Sequence, residues 1–178
     1  MFNFKVDQNI IIKAETLVSK YNFGKRSKAN GTKEQQIVGI IGELMIRDLF
    51  NAGDIDGSSG FDGGYDIKYN NKLIDVKTMG RTSQPKENFV NNLIDLQINH
   101  SADHFIFNSF NKKNNILTVC GWISKTNFIK LAEYFPKNTT RKRTDGTKFK
   151  TFSGLYELQN KNLNGVYSPD ELLIQLKW

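Results

Sequence analysis

Asp66, Asp75 and Lys77 are spaced so that one hairpin can gather all three. Asn70-Asn71 suits a two-residue turn, because Asn tolerates the positive φ such a turn requires. With those two residues in the loop, Tyr69 faces Lys72, Lys68 faces Leu73, Ile67 faces Ile74, and Asp66 faces Asp75. Directly opposed residues share a face with Cβ atoms about 4.5–5.5 Å apart, and Lys77, two residues beyond Asp75, points the same way. Ile67, Tyr69, Ile74 and Val76 then form an apolar reverse face for a core. Opposed like charges destabilise a sheet, so two facing carboxylates call for something positive between them. A divalent cation answers that need: Mg²⁺ takes hard oxygen ligands at about 2.0–2.1 Å and keeps several waters, leaving room for a phosphate oxygen and an attacking water. Lys77 would neutralise charge developing on the phosphate. The competing reading is a surface hairpin in which Lys68, Lys72 and Lys77 simply neutralise the two aspartates.

The elements that must position this hairpin follow from periodicity. Asp7 can cap a helix over residues 7–21, with Ile10, Ile11, Ala14, Leu17, Val18 and Tyr21 on one face, so the N-terminal segment reads as a helix rather than a leader peptide. Thr32-Lys33-Glu34-Gln35 has capping-box spacing and opens a longer helix to about residue 51, whose stripe is Ile37, Ile40, Ile41, Leu44, Met45 and Leu49. Glu43 lies beside that stripe. Gly39 and Gly42 each weaken a helix by about 1 kcal/mol relative to Ala, so both are expected where another backbone packs closely. A helix is predicted over 89–99, buried strands over 104–110 and 116–123, a helix over 126–135 stopped by Pro136, and a strand near 155–158. Ser168-Pro169 opens a final helix.

The chain has 178 residues, consistent with a single domain, and a net charge of +7 concentrated in two segments. Residues 20–33, with Lys25, Arg26 and Lys28 at their centre, and residues 137–150, with Arg141, Lys142 and Arg143, each carry +5, leaving the remainder at −3. Two basic segments on a mildly acidic body read as loops that track a phosphate backbone, or as two solvated basic loops. The composition, 38% hydrophobic with 13 Phe, excludes a disordered chain and offers no membrane span. The one cysteine, Cys120, excludes an internal disulfide and fits a reducing cytoplasm. His100 and His104 are the only histidines, too few for a His-built zinc or HNH centre, and neither a P-loop nor a GxGxxG fingerprint is present.

Glu43 in a helix, then Gly64-Tyr65-Asp66, then Ile74-Asp75-Val76-Lys77, resembles the PD-(D/E)XK nuclease superfamily, which includes restriction endonucleases and junction resolvases. Tyr65 stands where the motif has proline, and Asp75 where glutamate is commoner. The resemblance covers about residues 33–135 and implies an α/β (α+β) fold with a restriction-endonuclease-like core, a mixed sheet flanked by helices. The helix 7–21 precedes this core, and a strand and helix over 150–178 follow it. It implies a Mg²⁺-dependent DNA endonuclease, with Mn²⁺ able to substitute. Asp66, Asp75 and the Val76 backbone carbonyl would ligate the metal, Lys77 would be the catalytic lysine, and Glu43 would assist the first metal or bind a second. Asp62 is a rival to Asp66, but the hairpin register favours Asp66. Family members that cut both strands are often homodimers, and DNA is the implied partner. The alternative is a non-catalytic nucleic-acid-binding module with the same fold.

Overall fold

The structure is a computed structural model that describes residues 1–23, 31–58, 63–142 and 146–177. Its centre is a five-stranded mixed sheet built from β1 (Phe2–Lys5), β2 (Ile67–Tyr69), β3 (Lys72–Arg81), β5 (His104–Asn111) and β6 (Ile116–Ser124). The strand order is β1-β6-β5-β3-β2. β3 and β5 run parallel, with Asp75 beside Phe105 and Lys77 beside Phe107; the other pairings are antiparallel. Between β3 and β5 the chain forms β4 (Val90–Ile94) and a short helix, α3 (Asp95–Ile98). β4 joins β7 (Glu133–Phe135) and β10 (Leu155–Gln159) in a second sheet of order β4-β10-β7. A ribbon of β8 (Thr140–Lys142) and β9 (Lys148–Lys150) completes the strands.

Helices cover the central sheet. α1 (Gln8–Lys20) packs against α2 (Lys33–Leu49) through Ala14, Val18, Ile40, Ile41 and Leu44. Ile46 and Phe50 of the α2 end share a cluster with Ile74, Val76 and Ile106 of the sheet and with Leu172 and Leu176 of α5 (Pro169–Lys177). On the opposite face, Phe105 and Phe107 meet Phe128 of α4 (Lys125–Leu131) together with Leu93 and Leu158 of the second sheet. Alternation along β3 therefore sends Ile74 and Val76 toward α2 and α5, and sends Asp75 and Lys77 toward the phenylalanine side.

The capping box forms as the spacing requires: Thr32 Oγ1 accepts from Gln35 N–H at 3.2 Å, and Gln35 Oε1 accepts from Thr32 N–H at 2.9 Å. The hairpin turn forms too, with φ of 45° at Asn70 and 62° at Asn71. Three expectations change. Residues 2–5 precede the first helix as an edge strand, held by the partner β6 that lies far along the chain. The segment 89–99 divides into strand over Val90–Ile94 and helix only over Asp95–Ile98: Val, Asn and Asn are poor helix formers, burial alternates from Asn91 to Leu93, and β10 supplies a ladder partner. The helix expected over 126–135 starts one residue earlier and ends at Leu131, after which Glu133–Phe135 pairs with β10.

The two glycines of α2 part company. A Cβ at Gly42 would lie 2.8 Å from Thr78 Cβ and nearer still to its hydroxyl, so the glycine admits a strand side chain rather than a backbone. A Cβ at Gly39 would meet nothing within 4 Å. Gly39→Ala should therefore stabilise the protein by up to about 1 kcal/mol through helix propensity. Gly42→Ala should destabilise it by about 1–3 kcal/mol through overpacking. Denaturant midpoints of the two variants, moving in opposite directions, check both.

Candidate active site

The hairpin ladder runs from the Tyr69–Lys72 pair to the Ile67–Ile74 pair and stops there. Asp66, one residue further, does not complete the expected strand-on-strand pair with Asp75. Its backbone N–H donates to the Ile74 carbonyl at 2.9 Å, and its carboxylate turns to accept the Val76 N–H at 2.6 Å. A side chain thus takes the place of the next backbone carbonyl. Because the N–H and C=O of an extended residue point to the same side, the Val76 carbonyl faces the Asp66 side of β3.

Asp75 is 4% exposed, and its Oδ2 lies 2.6 Å from Lys77 Nζ. The lysine reaches back along its own strand face, as the two-residue spacing allows. Glu43 comes from the other direction. The close approach at Gly42 and Thr78 brings α2 down onto β3, which places the next residue, Glu43, where its charge acts on Asp66. Burial, Asp75 and Glu43 together push the Asp66 carboxyl well above the usual carboxylate range, against the opposing pull of Lys77 and the Val76 N–H. Glu43, Asp66, Asp75 and Lys77, named from four separate positions in the sequence, share one electrostatic neighbourhood.

Arg47 is the site residue that motif spacing missed. It sits one turn beyond Glu43, with Nη1 3.5 Å from Glu43 Oε1, and donates to the carbonyls of Asp66 (2.5 Å), Ala52 (2.9 Å), Gly53 (2.9 Å) and Asp54 (3.0 Å). The signal was present as an i, i+4 Glu–Arg pair on a helix. Arg47 ties the α2 exit, the following turn and the start of the hairpin to one guanidinium. Gln97 of α3 is 6% exposed and accepts from the Ile94 N–H. His104 lies beside Asp103, its Nδ1 2.5 Å from the carboxylate.

The donors in this neighbourhood, carboxylate oxygens and the Val76 carbonyl, are of the hard type that a divalent cation takes. As the side chains stand, Asp75 is engaged by Lys77, and among the described residues no group of three or more His, Cys, Asp or Glu is placed to hold an ion.

The basic segments are only partly visible. Lys25, Arg26, Lys28 and Arg143, and the rival acid Asp62, lie outside the described residues. Arg141 donates to Glu157 at 2.6 Å and stacks 3.6 Å above the Phe135 ring, so its charge is already matched inside the protein. Lys142 is exposed. Among the described residues, no helix is long and apolar enough to cross a membrane. Comparison of the chain with models of known families, with curated proteins and with solved structures finds no match.

The raised Asp66 pKa carries a stability sign. Below the ordinary carboxylate range Asp66 is neutral in both folded and unfolded chains; above it, the unfolded chain ionises while the fold resists, so stability falls as pH rises through the raised value. Asp66→Asn keeps an acceptor for the Val76 N–H and removes the ionisation. Without added metal, the variant should melt several degrees above the parent at pH 8 and close to it at pH 4. Melting curves at the two pH values measure the difference.

Proposed function

We propose that the protein is a Mg²⁺-dependent DNA endonuclease with a restriction-endonuclease-like core. The observation that carries this reading is the convergence of Glu43 from α2 with Asp66, Asp75 and Lys77 from the hairpin, in the order and on the elements that the resemblance requires. The mixed sheet with α2 packed on β3 supports it, and so does the +7 charge. Homodimeric assembly, a cytoplasmic location and tolerance of Mn²⁺ belong to the same proposal.

Asp66, Asp75 and the Val76 carbonyl would hold the ion, with Glu43 beside them. When bound, Mg²⁺ supplies a Lewis acid for the phosphodiester and lowers the pKa of a water. Ionised Asp66 is required to bind it, so cation uptake releases a proton and should strengthen as pH rises through the raised Asp66 value. Lys77, drawn from Asp75, would set its ammonium against the charge that builds on the phosphate. Arg47 holds Glu43 and the Asp66 backbone in place so that this charge arrives in a fixed frame.

A second reading, a nucleic-acid-binding module without turnover, is favoured by one contact: the Lys77–Asp75 pair at 2.6 Å, which closes one carboxylate against a cation. Cleavage separates the two. Supercoiled and linear DNA should be cut with Mg²⁺ and not with EDTA. Asp75→Ala or Lys77→Ala should reduce the rate by about 10³-fold or more, because the residues act together in charge stabilisation, while duplex affinity stays within a few-fold. Unimpaired cleavage by either variant overturns the assignment. DNA binding with no cleavage by the parent chain supports the binding module.

A further inference from the structure

The ribbon of β8 and β9 has two unlike faces. Register pairs Thr140 with Lys150, Arg141 with Phe149, and Lys142 with Lys148. Arg141 and Phe149 alternate onto one face and are half-buried, with Arg141 locked to Glu157 of β10 and stacked on Phe135 of β7. Thr140, Lys142, Lys148 and Lys150 occupy the other face and are exposed. Among the described residues, no carboxylate forms an ion pair with any of the three lysines. Two lysines directly opposite each other destabilise an isolated ribbon, so this face is arranged for an anionic partner rather than for its own stability.

The root of the ribbon is stiff. Asn138 N–H donates to the Thr151 carbonyl at 2.7 Å, Thr151 N–H donates to the Thr139 carbonyl at 3.0 Å, and both threonine hydroxyls donate to the Pro136 carbonyl at 2.7 Å. With Arg141 pinned to the second sheet, the described strands of the ribbon are anchored both at their root and along one face. Each strand extends about 10 Å, and the pair is about 5 Å wide between backbones before side chains are added. Those dimensions match the B-form major groove, about 12 Å wide and 8.5 Å deep, which admits a two-stranded ribbon. They do not match the A-form RNA major groove, which is deep and too narrow for side chains to read.

We propose that β8–β9 is a groove-entering ribbon that makes B-form duplex DNA, and not duplex RNA, the partner of this protein, with Lys142, Lys148 and Lys150 as its contact residues. The proposal rests on the nucleic-acid part of the reading above and is independent of cleavage. Its test measures binding of the full chain in EDTA to a DNA duplex and to an RNA duplex of the same sequence, across a salt series, and probes guanine N7 in the DNA major groove by dimethyl sulfate. The parent chain should prefer DNA by at least about tenfold and protect N7 positions. The triple variant Lys142→Gln, Lys148→Gln, Lys150→Gln should lose that preference and flatten the log–log salt slope by about 2 to 3, near 0.9 per lost phosphate contact. Because all three side chains are exposed, an unchanged melting temperature should accompany the loss, and Lys→Arg at the three positions should restore binding. Equal affinity for the two duplexes, or a triple variant that binds like the parent, overturns the ribbon's role. A parent chain that protects N7 but never cuts DNA with Mg²⁺ leaves the ribbon standing and overturns the nuclease instead.

Discussion

α2 and β3 meet at Gly42 and Thr78 with no side chain of the helix between them, and the polar arrangement around Asp66 depends on that closeness. A larger residue at position 42 would lift the helix from the strand, and Glu43 and Arg47 would move with it. As it is, a single helical turn delivers a carboxylate and a guanidinium to the end of a hairpin. Arg47 then shares its donors among four carbonyls that no regular element would satisfy. Hydrogen bonds from a charged donor are worth about 1.5–3 kcal/mol each, so Arg47 fixes the turn after α2 to the start of the hairpin.

The site is made where regular structure ends. Had the β2–β3 ladder continued one pair further, Asp66 would have been an ordinary strand residue with its carboxylate beside Asp75. Instead the ladder stops, the carboxylate bonds the Val76 N–H, and backbone and side chain of adjacent residues come to face one small region. Burial and two neighbouring acids hold a proton there against the ordinary tendency of an aspartate to lose it. Lys77 offsets part of that repulsion from the same strand face.

Elements with strong local signals were legible in the sequence: the Thr32–Gln35 capping box, the Asn70-Asn71 turn, and the apolar runs of β5 and β6. That Asp75 and Lys77 share a strand face was legible, because alternation along a strand fixes it; Glu43 was named through the resemblance, from a helix whose approach to the strand no local pattern fixes. What was hidden depends on distant partners. β1 is a strand only because β6 accepts it, and β4 because β10 does. The turn of the Asp66 carboxylate toward Val76 was hidden for the same reason, since register predicts pairing but not where pairing stops. Arg141 read as a free cation because the sequence does not place Glu157 and Phe135 beside it.

The pairing of Phe2 with Val119 has a consequence for how the protein is made. The hydrogen-bonding partner of β1 emerges more than a hundred residues after it. At a synthesis rate of about 5–20 residues per second, β1 waits roughly 6 to 23 s before β6 can accept it. During that interval Phe2 and Phe4, which finally pack edge to face, are in a segment without its strand partner. The central sheet therefore cannot close along its β1 edge until β6 has been made, and the apolar side chains of β1 remain without their strand neighbour until then.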